Sequence, residues 1–394
     1  MIPSERWNKT APTVDASACG DVWNRYHFGT IVDVTTSSRP PGARPATIKD
    51  VAREAGVSVS VVSRVLNDGS GPVAPETRQR VVATMEALSY RPRAAARDLN
   101  RATALSVAFV VPDLTNPLFA RLADRIVWEA RARGVQVVMM TTQEDPYLER
   151  ELVTSLLDRS VGGVIAVPTG ENADAWQALR DRDVQVVFAS RSVETVADID
   201  SVSIRNAEAA RIATTHLIER GHRRIGFVSG PAQTSTGHLR LAGYREALES
   251  AGLADDPALH RHVPFLGHGG AEAAAAILAL ADPPTAFVVA NSAQVQGVLL
   301  RLRAMGVRLP DDLSVIAFDD TPWMELIEPP LTSVRQPTDL IALHSIEILL
   351  SRMQGTAPAL PRHVEVAADL VERSSVRTLV PASVSTPSAA PERL

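Results

Sequence analysis

Apolar residues recur at helical spacing between Thr47 and Asn100, which predicts three helices and no strand in this segment. Gly56 interrupts the first helix, and the second follows in the stretch "AGVSVSVVSRVLN", residues 55–67. After the loop "NDGSGPVAP", Pro75 suits the first turn of the third helix. The three apolar stripes are Ile48, Val51, Ala52 and Ala55; Val62, Val65 and Leu66, with Val57 ahead of them; and Val81, Val82, Met85 and Leu88.

From Ala104 onward, apolar runs of strand length alternate with amphipathic helices such as "LFARLADRIVWEARARG" and "AARIATTHLIERG". Continuous apolar strands separated by helices are typical of parallel sheets that are buried on both faces. The runs are too many for one small sheet, so we expect two doubly wound lobes with a ligand cleft between them, at the carboxyl ends of the strands. The predicted strands are "LSVAFVV", "VQVVMM", "GGVIAV", "VQVVFA", "RRIGFVS", "TAFVVA" and "LSVIAF".

The second helix carries polar residues away from its apolar stripe. Two helices joined by a tight Gly-containing turn fit a helix-turn-helix, whose second helix reads base edges in the major groove of DNA. Val59 is suited to contact a thymine methyl, Ser60 is suited to bond a base or a phosphate, and Arg64 is suited to bond a guanine. The alternative is that this face is the solvated outside of a three-helix core. Residues of a size to bind phosphates are Ser58, Ser63 and Asn67.

Composition and charge agree with a globular protein that meets a polyanion at one end. Hydrophobic residues make up 45% and charged residues 22% of the 394 residues, and the net charge is −5. The segment from Thr47 to Arg101 nevertheless holds nine Lys and Arg against six Asp and Glu. Cys19 is the only cysteine, which excludes an internal disulfide and a Cys-based zinc site.

The ends of the chain differ from its middle. Residues 1–45 are polar and irregular, and residues 375–394 are rich in Ser, Pro and Ala, so both are predicted to be disordered. A translation start placed too far upstream is a second interpretation of the first stretch. No apolar run reaches the roughly 18 residues of a membrane span. The N-terminus also lacks the apolar core of a secretory signal, so we expect a cytoplasmic protein.

Motifs in both parts of the chain resemble the lac repressor and galactose repressor family of transcription regulators. They are "TIKDVAREAGVSVSVVSRVLN", "TRQRVVATMEALSYRPRAAARDL", "VAFVVPDLTNPLFARL", "HLIERGHRRIGFVSGP", "RLAGYREAL", "VVAN", "FDDTPW" and "PPLTSVRQP", and the resemblance covers roughly Thr47 to Arg373. It implies a small all-α helix-turn-helix head and a two-lobed α/β body of two doubly wound parallel sheets, similar to a periplasmic binding protein.

The resemblance also implies domain boundaries. The head is expected at 46–91, a hinge helix or linker at 92–103, and an effector-binding and dimerisation body at 104–374. Lobe 1 of that body is expected at about 104–203 and 336–356, and lobe 2 at about 204–335 and 357–374.

For DNA, the resemblance implies that Val59, Ser60 and Arg64 read bases. The segment "AAARDL" resembles a hinge helix that orders only on operator DNA, and Leu99 matches a leucine that wedges into the minor groove. Two such hinge helices imply a homodimer on a pseudo-palindromic operator. The expected DNA contacts are completed by Thr47 and Arg93.

Some positions depart from the family pattern. Val61 stands where threonine is usual and removes a hydroxyl that would bind phosphate, and Ala74 removes a helix cap worth about 1 kcal/mol. Arg93 replaces the usual asparagine, and Asp98 adds a negative charge that Arg93 and Arg97 offset. We therefore expect an altered operator preference rather than a loss of binding.

In the body, the resemblance implies a set of effector-binding residues. Arg240 and Asp319 suit the hydroxyls of a sugar or sugar derivative, and Arg240 suits a carboxylate or phosphate equally well. The alternative for these two residues is an ion pair between the lobes. Trp323, and Phe265 as a further candidate, suit stacking on a sugar face. The set is Asn116, Phe119, Ser190, Arg240, Asn291, Asp319, Trp323 and Gln336.

Core packing is the alternative role for Phe119 and Trp323. Ser190 stands where family members often carry an acid, and Ser292 stands where aspartate is common. Both changes remove negative charge near the cleft, which favours a different ligand.

Other function classes fit the sequence less well. An enzyme of a common type would carry G-x-G-x-x-G, a P-loop, H-E-x-x-H or G-x-S-x-G, and the sequence has none of these. The nine histidines show no ligand spacing, so we expect neither a metal nor a cofactor. A solute-binding protein shares the two-lobed fold but does not carry the N-terminal helices. We expect a repressor of double-stranded operator DNA controlled by a small molecule; an activator or a co-repressor-dependent regulator with a non-sugar effector is the alternative.

Overall fold

The structure, a computed structural model, describes residues 46–66, 73–88, 90, 106–159, 161–196 and 198–379. The expected arm at 1–45, the hinge at 92–103 and residues 380–394 lie outside the described residues. The chain divides between Thr103 and Ala104 into two compact units. Three expected DNA contacts also lie outside the described residues: Asn67, Arg93 and Leu99.

The first unit contains three helices, α1 (Ile48–Glu54), α2 (Val59–Leu66) and α3 (Pro75–Ala87). Gly56 lies between α1 and α2 with φ of 64°, a left-handed conformation that glycine adopts without strain. Arg80 of α3 donates from Nε to the carbonyl oxygen of Ala55 at 3.0 Å, which satisfies the end of α1.

The core of this unit comes from the predicted stripes. Val51, Val62 and Val81 each contribute a fully buried side chain, one from each helix. The prediction that Val82 shares the buried stripe of α3 is wrong, since Val82 is 43% exposed. One residue past Val81 is a rotation of about 100°, which turns the side chain away from the core.

Lobe 1 of the second unit is a six-stranded sheet with helices on both faces. Its strands are β1 (Ser106–Val111), β2 (Gln136–Thr141), β3 (Gly163–Ala166), β4 (Gln185–Ala189), β5 (Asp200–Ile204) and β11 (His363–Val366). Its helices are α4 (Pro117–Ala132), α5 (Pro146–Leu156), α6 (Ala173–Arg180) and α12 (Thr338–Met353). The strand order is β11-β5-β4-β3-β1-β2, and all neighbours are parallel. Helices α4 and α12 pack on one face, and α5 and α6 on the other.

Lobe 2 repeats this arrangement. Its strands are β6 (Ile225–Ser229), β7 (His260–His262), β8 (Ala286–Val289), β9 (Ser314–Phe318), β10 (Thr332–Arg335) and β12 (Asp369–Val371). Its α-helices are α7 (Asn206–Glu219), α8 (Ser235–Ser250), α9 (Gly267–Leu278), α10 (Ser292–Ala304) and α11 (Trp323–Leu326), and Pro257–Leu259 is a 3₁₀ turn. The order is β12-β10-β9-β8-β6-β7, with β12 alone antiparallel to its neighbour. The predicted fold class is thus confirmed, and each of the seven predicted strands is present.

The expected assignment of residues 357–374 to lobe 2 is wrong for β11. This strand pairs in parallel with β5 of lobe 1, with Val364 opposite Val202. The chain therefore passes between the lobes after β5, after β10 and after β11. These passages bring polar residues from both lobes to the same edge of the cleft.

The predicted disorder of the C-terminal tail is wrong for residues 375–379. Ser375 is fully buried in lobe 2, where its Oγ accepts a hydrogen bond from the Thr332 amide at 2.8 Å. The carbonyl oxygen of Ser375 accepts from the Val315 amide at 3.0 Å, which extends the pairing at the start of β9. Leu379 donates from its amide to the carbonyl of Arg220 at 2.7 Å.

Among the described helices, none is long and apolar enough to cross a membrane.

Candidate functional site

The outer face of α2 carries the side chains that the sequence assigns to base reading. Val59 and Ser60 are exposed, and Arg64 is half-buried with its Nε 3.4 Å from the Ser60 carbonyl oxygen. The Ser58 hydroxyl lies 2.8 Å from the Ser60 hydroxyl, at the start of the helix. Because Val62 and Val65 face the core, the surface around Val59 and Arg64 is available to a partner.

The other two expected DNA contacts that the structure describes in the first unit are Thr47 and Ser63. The amide and hydroxyl of Thr47 donate to Asp50 Oδ2 at 2.9 and 2.6 Å, which caps α1. Ser63 is half-buried on α2. Ala74 precedes α3 without a side-chain cap, as its sequence requires.

A small cavity lies between the lobes, at the carboxyl ends of their strands. Its volume is about 10 Å³, close to the space that one water occupies. Ser190 follows β4 directly, Asp319 follows β9 and Gln336 follows β10. Six of the eight expected effector residues line it: Phe119, Ser190, Arg240, Asn291, Asp319 and Gln336.

Asp319 organises the lobe 2 side of the cavity. Its Oδ2 accepts from the Ser292 amide at 2.9 Å, and its Oδ1 accepts from Gln336 Nε2 at 2.6 Å. Its φ of 86° is unusual for a residue other than glycine. Such strain is typical of functional positions, where surrounding contacts hold the backbone in place.

Arg240 enters the cavity from α8 as a buried cation. Its Nε donates to Asn206 Oδ1 at 2.8 Å, its Nη1 donates to the Ala290 carbonyl oxygen, and its guanidinium lies 4.3 Å from the centre of the Phe318 ring. Burial lowers the pKa of Arg240 to about 10, so the group remains charged at neutral pH. The alternative interpretation, an ion pair between the lobes, does not apply, because Arg240 and Asp319 both belong to lobe 2 and bond to other groups.

Asn116 connects the lobes just outside this cavity. Its Oδ1 accepts from the Leu118 amide at 3.0 Å, which caps α4, and from Ser292 Oγ of lobe 2 at 3.0 Å. A second hydrogen bond between lobes runs from the Ser192 amide to Ser235 Oγ at 3.0 Å. The first of these bonds is buried and the second is part-buried, and both join lobe 1 to lobe 2.

Arg191 is a cavity residue that the sequence analysis missed. It is only 3% exposed, and its two Nη atoms bond the two oxygens of Glu144, each at 2.8 Å. Its guanidinium lies 4.3 Å from the ring centre of Phe265 and 5.6 Å from that of Phe119. Its position directly after Ser190 was the available signal, since both residues follow the end of β4.

Thr236 was also missed, and its buried Oγ1 has no hydrogen-bond partner in the described part of the chain.

Trp323 was expected in the cleft, and that expectation is wrong. It begins α11 and packs against the apolar core between α9, α10 and the sheet of lobe 2. There it lines a surface groove with Leu299, Ile327 and Pro329. Phe265 provides an aromatic face to the cavity instead.

No group of three His, Cys, Asp or Glu side chains among the described residues is placed to hold a metal ion.

Comparison with known proteins agrees with both units. The description "Bacterial regulatory proteins, lacI family" matches residues 47–93, and "Periplasmic binding protein-like domain" matches residues 214–376. Catabolite control protein A of Priestia megaterium is 34% identical over 308 residues, which cover 78% of this chain and 92% of that protein. This chain belongs to the lacI family of bacterial regulatory proteins.

Other relatives of this lacI-family protein are similar over most of its length. The HTH-type transcriptional repressor PurR of Vibrio atlanticus (strain LGP32) is 31% identical over 335 residues, covering 85% of this chain and 99% of that one. A lac repressor dimer bound to operator and the anti-inducer ONPF superposes with a TM-score of 0.70 at 28% identity, covering 85% of this chain and 100% of that one. The complex of the transcriptional regulator CelR with cellobiose gives 0.65 at 32% identity, covering 84% and 99%. The expectation of a DNA-binding transcription regulator, not an enzyme, is confirmed by these relatives.

Proposed function

We propose that this protein is a homodimeric repressor that binds a pseudo-palindromic operator, with an affinity controlled by a sugar or sugar derivative in the cavity between the lobes. The observation that carries the proposal is the convergence of six expected effector residues on one cavity, from both lobes and at the carboxyl ends of the strands. A ligand there touches both lobes and is therefore sensitive to the angle between them.

On DNA, α2 is proposed to enter the major groove. Val59 contacts a thymine methyl, Ser60 a base or a phosphate, and Arg64 a guanine. Phosphate contacts from the flanking hydroxyls and amides fix the register. The remaining proposed contacts are Thr47, Ser58, Ser63, Asn67 and Arg93 to phosphates and Leu99 in the minor groove.

In the cleft, binding of an effector requires the lobes to separate. A cavity of about 10 Å³ is far smaller than a sugar, and closed-state bonds such as that of Ser292 with Asn116 must break or rearrange. An effector that binds one lobe arrangement better than the other shifts the equilibrium by that difference in affinity. Direct contacts with the effector are proposed for Asn116, Phe119, Ser190, Arg240, Asn291, Asp319 and Gln336.

The homodimer is supported by exposed apolar surface on both lobes. In lobe 2, Leu300 lines the same groove as Trp323 and is 68% exposed, and Leu326 of α11 is 84% exposed. In lobe 1, the edge strand β2 exposes Val138 and Met139. Apolar patches of this kind mark interaction surfaces. We infer that a second copy of this chain covers them, as the similar lac repressor structure is a dimer.

Selection from random duplex DNA tests the proposal. The full-length protein is incubated with the pool at one fixed, moderate salt concentration, and the retained sequences are read after several rounds. We expect an enriched sequence with two related half-sites. Arg64→Ala should retain the half-site spacing and lose preference at one base pair in each half. Absence of any enriched sequence would contradict the proposed operator binding.

A further inference from the structure

The charges that line the interlobe cavity are unbalanced. Of the described residues, three ionisable side chains line it: Arg191, Arg240 and Asp319. Each oxygen of Asp319 accepts one hydrogen bond, from the Ser292 amide and from Gln336. The side chains that line the cavity therefore carry two cations and one anion, and Arg191 is paired with Glu144 from outside the cavity.

Arg240 has only neutral acceptors. It donates to the amide oxygen of Asn206 and to the carbonyl oxygen of Ala290, and within the described residues it forms no salt bridge. Burial lowers the pKa of this group, the nearby Asp319 carboxylate opposes that shift, and the like charge of Arg191 adds to it. Buried cations are normally paired with an anion, because an unpaired charge loses its hydration without compensation.

The ion pair of Arg191 with Glu144 shows that a carboxylate fits this guanidinium. The carboxylate of Glu144 occupies its guanidinium in a two-pronged arrangement, with both contacts at 2.8 Å. Glu144 does not line the cavity; it lies in the turn after β2 with φ of 58°. It bonds both Nη atoms of Arg191 from outside the cavity, so a ligand carboxylate competes with Glu144 for this guanidinium.

Two further features favour a polyhydroxylated ligand. Ser190 and Thr236 line the same cavity, and the Thr236 hydroxyl has no hydrogen-bond partner among the described residues. Phe119 and Phe265 flank the Arg191 guanidinium and shield its charge from solvent. We propose that the effector is an acidic sugar, a uronic or aldonic acid, whose carboxylate binds Arg191 and Arg240. This inference rests on the effector site of the proposed function.

Matched pairs of acid and neutral sugar test this inference. Thermal stability and calorimetric binding of the full-length protein are measured with D-glucuronate and D-glucose, D-galacturonate and D-galactose, and D-gluconate and D-glucitol, at equal ionic strength and pH 7. We expect saturable binding of at least one acid and binding of its neutral partner that is weaker by about tenfold or more, the loss of one charge-assisted hydrogen bond. Equal or stronger binding of the neutral partner, binding of none of the acids, or stronger binding of glucose 6-phosphate would each overturn the inference.

Variants distinguish the two arginines from general charge effects. Arg191→Gln and Arg240→Gln should each weaken acid binding by about tenfold or more and reduce the difference between acid and neutral sugar. Glu144→Gln removes the internal competitor and should tighten acid binding, whereas a Glu144 that only supports the fold would weaken it when replaced. Arg223→Gln, which removes one exposed positive charge of lobe 2, is the matched control and should leave binding unchanged. Circular dichroism establishes that each variant is folded before binding is measured.

The acid-binding test and the operator selection can fail independently, so their results distinguish the acidic effector from the proposed operator binding. An enriched operator without acid binding would overturn the acidic effector alone. Acid binding without an enriched operator would overturn operator binding and leave the acidic ligand standing.

Discussion

The hydrogen bond from Ser292 Oγ to Asn116 Oδ1 joins the lobes, and its contribution can be isolated by mutation. The bond is 3.0 Å long and buried at both ends, so its removal should cost about 0.5–1.5 kcal/mol. In Ser292→Ala, Asn116 keeps its bond from the Leu118 amide, so Oδ1 is not left without a partner. Asn116→Ala loses the same bond and also the cap of α4, which costs about 1 kcal/mol more.

Urea unfolding followed by tryptophan fluorescence measures both single variants and the double variant. We expect the double variant to be no less stable than Asn116→Ala, which gives a coupling of about 0.5–1.5 kcal/mol between the two positions. Ser345→Ala is the matched control, because its hydroxyl bonds the Ile341 carbonyl within α12 at 2.7 Å. Its effect should add to that of Asn116→Ala. Simple additivity of the Ser292 and Asn116 variants would refute the closing role of this bond.

Three further predictions concern DNA binding, pH and the C-terminal segment. Arg64→Ala should weaken operator binding by about 1–3 kcal/mol in a fluorescence anisotropy titration, and unchanged base preference would show that Arg64 contacts only phosphate. Burial lowers the pKa of His222 from 6.5 to about 4, so the unfolded chain takes up this proton first as the pH falls. The folded state should therefore lose up to about 3 kcal/mol between pH 6.5 and 4. His222→Gln should flatten that part of a urea-derived stability profile, and an equal slope in both proteins would contradict the assignment. Ser375→Ala should cost about 1–3 kcal/mol in urea unfolding because the Thr332 amide loses its acceptor, and a loss below about 0.5 kcal/mol would contradict that role.

Strands with an unbroken apolar run could be predicted from the sequence, including the partly exposed edge strand β2, and strands that mix polar and apolar residues could not. β1 and β9 are unbroken apolar runs because both faces are covered by helices. β5, "DSVSI", alternates buried and half-buried residues, and β11, "HVEV", alternates exposed and half-buried ones. β11 joins lobe 1 by pairing with β5, far away in the chain, and local periodicity carries no information about such a partner.

The effector residues were predictable only where the family resemblance reached them. Asp319 and Gln336 lie at strand ends, and the parallel topology brings such ends together. Arg191 was missed because its role depends on Glu144 and Phe265, which lie in other parts of the sequence. Trp323 was wrongly expected in the cleft. It is close to the cavity residue Asp319 in the sequence, yet it packs against the core of lobe 2 on the opposite side of the strand end.

Operator affinity with the cleft occupied tests most directly whether the cavity controls DNA binding. The selected operator is labelled, and its Kd is measured by fluorescence anisotropy as the sugar or sugar acid that most raises thermal stability is added. We expect Kd to change by about 5–150-fold at saturation, the operator to change the ligand's Kd by the same factor, and Arg240→Gln to abolish the response. An operator Kd that stays constant while the ligand saturates the protein would contradict the account.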